Sequence, residues 1–208
     1  HRAAPGQLTN AEGHELIDQL TSYERPYPML VLTGGDCFER PDLVDLIEYA
    51  VGKGLHVSIS PSVTPLFTRE RVKAVQDAGV SVMSMSLDGG SAETHDAFRG
   101  FPGTFDRTIE ACHMLNELGM RFQLNTVFTA KNIHEAPQML KNAIDLGAFM
   151  FYTFMLVPTG RGQHLDMLTP HEREDVLHWL HDNPTRIAIK TTEAPQYRRI
   201  AFQREAVR

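Results

Sequence analysis

The fold class of this chain is decided by one stretch, Met29-Leu30-Val31-Leu32-Thr33-Gly34-Gly35-Asp36. Its first four residues are apolar without polar alternation, which is typical of a strand buried on both faces of a parallel sheet. The two glycines near its end allow a sharp turn towards the next helix. The stretch therefore predicts a buried strand over residues 29–33 of an α/β fold.

The same strand-and-helix unit recurs along the rest of the chain. Strands are predicted to begin near residues 29, 55, 82, 121 and 150, with a last short strand over 187–191. Helices are predicted from Thr9 onwards, where Glu12 completes a capping-box spacing, and over residues 40–51, 69–77, 104–118, 133–146 and 170–183. Because helices separate the strands, the pattern predicts a parallel sheet in a single domain over residues 1–208. Periodicity alone does not distinguish an open doubly wound sheet from a barrel.

The composition is that of an acidic globular chain. It has 20 Lys and Arg against 26 Asp and Glu in 208 residues, a formal charge of −6. This balance, without basic runs, argues against nucleic acid or an anionic membrane as the partner. No stretch has the length of a transmembrane helix, and the first residues lack the pattern of a signal peptide, so a cytoplasmic location is expected.

Metal-binding spacings do not occur in the sequence. The two cysteines, Cys37 and Cys112, are far apart, and a packing or loop role, rather than ligation of a metal, is expected for Cys37. Three histidines, His171, His178 and His181, share part of one helix face. Without the H-E-x-x-H pattern they predict a solvated face rather than a metal site.

Polar and small residues collect where the predicted strands end, which is where α/β folds bind ligands. Gly34 and Gly35 let the backbone approach a ligand closely, and Asp36 is suited to accept hydrogen bonds from an ammonium group. The same residues also fit a turn that only needs a positive φ. The other candidates are Ser60 after the second strand, Ser86, Asp88 and Arg99 after the third, Asn125 in the fourth, and Val157, Pro158 and Gly160 after the fifth.

Several of these candidates have a structural alternative. Arg99 is suited to hold a ligand carboxylate bidentately, or to form a surface ion pair with Asp88. Asn125 is either a ligand contact or a structural hydrogen-bonding residue, since buried amides need partners. The Ser60 hydroxyl either contacts a ligand or satisfies the loop backbone.

The order of these motifs resembles that of the radical S-adenosylmethionine (SAM) superfamily. Thr33-Gly34-Gly35-Asp36 is followed by Arg-Pro-Asp-Leu, Ser-Leu-Asp-Gly, His-Asp-x-x-Arg-Gly and Gly-Thr-Phe-Asp, and the similarity runs from about residue 5 to residue 158. The loop at 157–161 also fits. The segments 190–193 and 197–199 resemble a substrate-side segment of one subgroup, and by themselves they are typical of a polar tail. The relatives concerned act in haem biosynthesis and peptide maturation and often carry a further cysteine-rich (SPASM) domain.

The resemblance implies a partial (β/α)6 barrel, its first strand missing from this chain, that binds SAM at its mouth. Gly34, Gly35 and Asp36 correspond to the family's Gly-Gly-acid turn, which holds the methionine amino group, although the family's acid is usually Glu. Ser86 and Arg99 correspond to contacts with the SAM carboxylate or ribose. The residues that correspond to the ribose and adenine side are Asn125, Val157, Pro158 and Gly160, and Ser60 and Asp88 complete the cofactor-binding set.

The same resemblance implies an iron–sulfur cluster that this chain is not expected to hold. Family members bind a [4Fe-4S] cluster through C-x-x-x-C-x-x-C after the first strand, because soft thiolates suit such clusters. Residues 1–6 correspond to the tail of that loop, and neither cysteine has its spacing. The intact protein is expected to be an oxidoreductase or maturase that cleaves SAM reductively to a 5′-deoxyadenosyl radical. That radical takes a hydrogen atom from a small-molecule or peptide substrate, and the chain by itself is expected to be inactive.

Two other functions stay compatible with the sequence. A non-catalytic SAM-binding or scaffold domain would need no cysteine loop. A cluster-free barrel lyase or aldolase would need a lysine at a strand end, and Lys190 is the candidate near a late strand. A missing first strand would leave an open sheet edge, which predicts marginal stability or self-association through that edge.

Overall fold

The computed structural model describes residues 6–183 and 185–206 of the protein. The interpretation of residues 1–6 as the tail of a cysteine loop therefore lies, except for Gly6, outside the described residues. Within the described ranges, no helix is both long and apolar enough to cross a membrane.

Six strands form one sheet in which spatial neighbours follow the order of the chain. The strands are β1 (Leu30–Leu32), β2 (Val57–Ile59), β3 (Val82–Ser86), β4 (Phe122–Phe128), β5 (Met150–Met155) and β6 (Ala188–Thr192). The pairs β1–β2, β2–β3, β4–β5 and β5–β6 are all parallel. The predicted α/β class with a parallel sheet is confirmed.

The helices of the described residues precede, separate and follow these strands. They are α1 (Asn10–Thr21), α2 (Leu43–Gly52), α3 (Arg69–Asp77), α4 (Ala92–Arg99), α5 (Thr104–Glu117), α6 (Ala136–Asp145), α7 (Pro170–Asp182) and α8 (Gln196–Ala206), with short 3-10 helices at Cys37–Glu39, Ile133–Glu135 and Gly160–His164. The capping box predicted for the first helix is confirmed, because the Thr9 N–H donates to the Glu12 carboxylate at 2.7 Å.

Two helices were not predicted from the sequence. Helix α4 has only eight residues and one buried side chain, His95, so its apolar periodicity is too weak to detect. Helix α8 replaces the expected polar tail, and it buries one apolar side chain, Ile200. Two ion pairs fix α8 to α7, between Arg199 and Glu174 and between Arg204 and Asp182.

The chain divides into two compact units. The first unit comprises the residues up to 85 together with 110–122, and the second comprises 86–109 together with the residues from 123 onwards. Each unit has its own buried apolar side chains. Those of the first unit include Ile47, Ile59, Val72, Met83 and Leu115, and those of the second include Leu124, Phe128, Met139, Phe151 and Leu177.

In the second unit, strands β4 and β5 are covered on one face only. Their residues alternate between buried and half-exposed along the whole of both strands. This pattern differs from β2, where all three residues are buried as expected for a strand covered on both faces. One face of β4 and β5 is therefore buried, and the other is only partly covered.

Candidate functional site

The turn after β1 exposes backbone, as the sequence predicted. Thr33, Gly34 and Gly35 are exposed, and Gly34 has a φ of 140°, a conformation that side chains disfavour. A Cβ atom on Gly34 would meet no atom within 4 Å, so the turn borders open space. Together with α1, it lines a groove of about 600 Å³ in the first unit.

The carboxylate of Asp36, by contrast, points into the protein. Its Oδ1 accepts hydrogen bonds from the N–H groups of Phe38 and Ser62, at 3.1 and 3.3 Å. Its Oδ2 accepts one from the Thr64 hydroxyl at 2.6 Å. Asp36 thereby caps the first 3-10 helix and joins the loops that follow β1 and β2. Both of its oxygens have partners inside the first unit.

Ser60 lies directly after β2 and is half-exposed. Its N–H donates to the Leu32 carbonyl at 2.9 Å, which continues the β1–β2 pairing by one residue. Its hydroxyl reaches the Ser84 carbonyl at 3.5 Å, the outer limit of a hydrogen bond. The hydroxyl is therefore only loosely engaged by the protein.

Asp88, in the second unit, directs its polar groups into the protein, and its Oδ2 forms an ion pair with Arg99 that lacks hydrogen-bond geometry. It is 1% exposed. Its N–H donates to His95 Nδ1 at 3.0 Å, and its carbonyl accepts from Asn132 Nδ2 at 3.0 Å. Its Oδ1 accepts from the Val127 N–H at 2.8 Å, and its Oδ2 lies 2.5 Å from Arg99 Nη2. Burial raises the pKa of the Asp88 carboxyl, and the Arg99 charge opposes that rise.

Arg99 combines a buried anchor with an exposed surface. Its side chain is 36% exposed while the carboxylate of Asp88 is buried. The guanidinium carbon also lies 5.9 Å from the centre of the Phe98 ring. The pair is therefore neither a plain surface ion pair nor a fully buried one. A guanidinium presented in this way can bind a ligand carboxylate.

Helix α4 positions Arg99. Its buried His95 side chain holds the helix against the backbone of Asp88. Burial lowers the pKa of His95 to about 4, so the imidazole is neutral near pH 7 and its Nδ1 can accept the Asp88 N–H. Gly89 allows this approach, since a Cβ there would lie 2.4 Å from the His95 nitrogen. At the start of the helix, the Glu135 carboxylate accepts from the Gly90 N–H at 2.7 Å and from the Ser91 hydroxyl at 2.8 Å.

Asp96, which follows His95 in helix α4, holds the residues at the start of helix α5. Its carboxylate accepts from the N–H groups of Gly103 and Phe105 and from the Thr104 hydroxyl. These bonds hold the start of α5 against α4, and they lower the pKa of Asp96. The two sequence motifs His-Asp-x-x-Arg-Gly and Gly-Thr-Phe-Asp are thus one hydrogen-bonded unit.

The other candidates of the second unit keep atoms free for a ligand. Ser86 and Asn125 are half-exposed. The Asn125 Oδ1 accepts from Gln123 Nε2 at 2.8 Å, which directs its amide nitrogen away from that neighbour. In the loop after β5, the exposed candidates are Val157, Pro158 and Gly160, the last with a φ of 53°.

The candidates therefore fall into two groups. Gly34, Gly35, Asp36 and Ser60 belong to the first unit, whereas Ser86, Asp88, Arg99, Asn125, Val157, Pro158 and Gly160 belong to the second. Sequence reasoning missed His95, Asn132 and Glu135. Of these, His95 left a detectable signal, because it precedes Arg99 by four residues and so shares its helix face.

The described residues do not fit an iron–sulfur cluster. Among them, no group of three or more His, Cys, Asp or Glu side chains is arranged to hold a metal ion. Cys37 and Cys112 are both buried, and burial raises the pKa of each thiol to about 12. A cluster needs thiolates, so neither cysteine is suited to be a ligand here.

The fold defines a class, that of α/β proteins with a parallel sheet, and this chain carries polar side chains beyond its strand ends. The family within that class is given by the sequence, which matches the radical SAM superfamily over residues 3–143. The chain belongs to this superfamily, as the order of its motifs predicted. Iron–sulfur binding and reductive cleavage of SAM are typical of the family.

Two curated relatives carry the same name. The chain is 39% identical over 200 residues to the AdoMet-dependent heme synthase of Methanosarcina barkeri, which covers 95% of this chain and 56% of that protein. It is 41% identical over 204 residues to the enzyme of that name from Oleidesulfovibrio alaskensis, covering 96% of this chain and 52% of that protein. The chain thus spans about half the length of these relatives.

Solved structures agree with the fold. Streptococcus suis SuiB bound to S-adenosylmethionine aligns with a TM-score of 0.73 at 13% identity, over 92% of this chain and 45% of SuiB. SuiB bound to its precursor peptide SuiA aligns with a TM-score of 0.74 at 13% identity, over 92% of this chain and 44% of SuiB. At this identity the similarity establishes the partial-barrel fold of the superfamily.

Proposed function

We propose that this chain is the SAM-binding core of a radical SAM enzyme and that Arg99 binds the SAM carboxylate. The proposal depends above all on one observation: a guanidinium paired with the buried Asp88 carboxylate, on a side chain that is 36% exposed. Membership of the superfamily supplies the identity of the ligand. In the intact enzyme, bound SAM is the source of the 5′-deoxyadenosyl radical that removes a hydrogen atom from the substrate.

In the first unit, the proposed SAM contacts come from the turn after β1. The carbonyl of the exposed Gly34 is suited to accept a hydrogen bond from the methionine amino group, and the loosely engaged Ser60 hydroxyl is a further contact. The Gly35 carbonyl already accepts a hydrogen bond from the Ser62 hydroxyl at 2.9 Å and offers its second lone pair. Asp36 acts indirectly, since its oxygens already accept three hydrogen bonds that shape the loops. Its role is to position the turn.

In the second unit, the proposed contacts are Arg99, Ser86 and the Asn125 amide, together with the exposed backbone of the loop at 157–160. Asp88 is assigned a positioning role here as well, because it has no exposed polar atom and holds Arg99 in place. An exposed loop backbone offers both donors and acceptors to an adenine ring.

The cluster and the substrate belong to the intact protein in this proposal. A cysteine loop upstream of this chain holds the cluster, and the 208-residue chain alone does not cleave SAM. The substrate is a small molecule, as for the relatives named heme synthases, or a peptide, as for SuiB with SuiA.

The Arg99 assignment is tested by equilibrium dialysis of labelled SAM against this chain. Arg99→Ala is expected to weaken SAM binding about tenfold, the effect of losing one charge-assisted hydrogen-bonded pair. Arg107→Ala, which changes another exposed arginine of the second unit, is expected to leave binding unchanged. Equal affinity of the wild type and Arg99→Ala would overturn the assignment.

The cluster assignment is tested by iron and sulfide analysis after anaerobic reconstitution. The protein expressed from its full gene is expected to bind a cluster whose visible spectrum changes on addition of SAM, while the 208-residue chain binds none. A cluster on the 208-residue chain contradicts the proposal. A full-length protein that binds SAM without iron would instead support a non-catalytic SAM-binding domain.

A further inference from the structure

Residues 88–91, which connect β3 to α4, are held by side chains of the segment that follows β4. Asn132 Nδ2 donates to the Asp88 carbonyl at 3.0 Å, and Asn142 Nδ2 donates to a second carbonyl of the connection at 3.0 Å. The Glu135 carboxylate accepts hydrogen bonds from two N–H groups of the connection, at 2.7 and 3.2 Å. Because the connection leads directly into α4, these contacts fix the position of that helix.

Asn132 is the most deeply buried of these three side chains, with an exposure of 1%. Its Nδ2 donates to the Val127 carbonyl at 2.8 Å as well as to the Asp88 carbonyl, so both of its amide hydrogens are used. Its Oδ1 accepts from the Thr129 N–H at 2.8 Å. One amide thus joins the residues beyond the end of β3 to the end of β4.

Val127 links this amide to the carboxylate of Asp88. The Val127 carbonyl accepts from Asn132, while the Val127 N–H donates to Asp88 Oδ1 at 2.8 Å. The main chain of Asp88 and one of its carboxylate oxygens are therefore both held, which directs the other oxygen, Oδ2, towards Arg99. Asp88 Oδ2 lies 2.5 Å from Arg99 Nη2. Asn132 thus acts on the guanidinium through one intermediate residue, Asp88.

We infer that Asn132 is a positioning residue for SAM: its amide keeps the Asp88 carboxylate, and through it the Arg99 guanidinium, in the geometry that binds the SAM carboxylate. The inference rests on the proposed function and adds to it a residue that has no SAM contact in that proposal. An arginine side chain loses rotamer entropy when it is fixed, so a guanidinium that is already fixed binds a carboxylate more tightly than a mobile one. The planar guanidinium must also be aligned with the carboxylate that it binds.

A purely structural role of Asn132 has a different consequence for binding. An amide that joins two strand ends also stabilises the fold, and its removal takes a donor away from two carbonyls. General loosening of the second unit would weaken every ligand of the site alike. Loss of positioning weakens only the interaction with the ligand carboxylate. Two ligands that differ in this group therefore separate the two roles.

The inference is tested on this chain by equilibrium dialysis of labelled SAM, with decarboxylated SAM as the competitor. The competitor keeps the adenosine, the sulfonium and the amino group and lacks the carboxylate. The wild type is expected to bind SAM about tenfold more tightly than the competitor, and Arg99→Ala is expected to bind the two alike. Asn132→Ser is expected to reduce the preference to about threefold or less through weaker SAM binding, with the affinity for the competitor unchanged.

Two further variants guard against loss of folding. Asn132→Thr fills more of the space than Asn132→Ser, and neither adds a charge beside Asp88, so the preference of whichever variant folds decides the result. The matched control is Asn183→Ser, which removes another amide of the second unit that donates to a carbonyl, that of Trp179 at 2.7 Å. This control is expected to keep the wild-type preference.

The ratio of the two affinities decides the outcome. A wild-type preference in the folded Asn132 variants, or equal weakening of SAM and the competitor, would overturn the inference and leave Asn132 a structural role. If Arg99→Ala loses the preference in the same experiment, the Arg99 assignment survives that result. If Arg99→Ala keeps the preference, the Arg99 assignment itself fails, and the inference fails with it. The double variant Asn132→Ser with Arg99→Ala is expected to match Arg99→Ala, because the first change acts through the second residue.

Discussion

At the scale of single residues, Asp36 and Asp88 show why an acidic residue after a strand is an ambiguous signal. From the sequence, both were candidates for direct ligand contact. In the structure, each directs its carboxylate to partners that are distant in sequence, such as Thr64, 28 residues from Asp36, and Val127, 39 residues from Asp88. Local patterns do not reveal such partners. The pairing of Arg99 with Asp88 was one of the predicted alternatives, but the burial of Asp88 and its contacts with His95 and Asn132 were not predicted.

His95 leads to a prediction about pH. Its pKa is lowered by burial from 6.5 to about 4 in the folded state. Between these two values the unfolded chain binds more protons than the folded chain, so stability falls as the pH drops through this window. The contribution of the neutral His95 to the free energy of unfolding is fully present above pH 6.5, and about 3 kcal/mol of that free energy is lost by pH 4.

Urea unfolding at a series of pH values from 8 to 4 measures this effect. His95→Asn keeps an acceptor for the Asp88 N–H but does not titrate, so its free energy of unfolding is expected to fall less steeply between pH 6.5 and 4. His113→Asn, which changes an exposed histidine of α5, serves as the control. An equally steep fall in the wild type and His95→Asn would contradict the prediction.

At the scale of elements, two of the predicted helices begin at capping signals that are local in the sequence, whereas α4 was missed although Ser91 caps it and Gly100 ends it. Helices α1 and α7 begin at capping boxes, Thr9 with Glu12 and Thr169 with Glu172, and such spacings can be read directly from a sequence. Helix α8 has no such signal. Its arginines form ion pairs with acidic residues of α7 that lie 22 and 25 positions earlier in the chain. A local sequence pattern does not contain partners at that separation.

Ile200 provides the test of how α8 is attached. It is fully buried, whereas Phe202 on the same helix is 58% exposed. Ile200→Ala is expected to lower the free energy of unfolding by about 2–4 kcal/mol, because it removes buried methyl groups and leaves a cavity. Phe202→Ala is expected to change it by less than about 0.5 kcal/mol, as is usual for exposed positions. Chemical denaturation distinguishes the two, and a negligible effect of Ile200→Ala would mean that α8 is not docked.

At the scale of the whole molecule, the sheet begins at β1, and the burial of this strand differs from the prediction. The continuous apolar run predicted a strand covered on both faces, yet Val31 is 48% exposed and the adjoining Met29 is 61% exposed. Among the described residues, β1 pairs only with β2, so its outer edge carries unpaired backbone groups beside the groove along α1. The sequence predicts a strand from its own residues, but the cover of a strand depends on neighbours elsewhere in the chain or in another molecule.

An unpaired strand with exposed apolar side chains is a template for pairing with another chain. We therefore expect the 208-residue chain to self-associate through β1, and sedimentation velocity at increasing protein concentration to show a rising sedimentation coefficient. Val31→Lys places a charge on this edge, where burial against a second copy would be costly, so it is expected to sediment as a monomer at all concentrations. Phe101→Lys removes an exposed apolar side chain of the second unit and is expected to associate like the wild type. A wild-type chain that remains monomeric throughout would show that the β1 edge is protected without a partner strand.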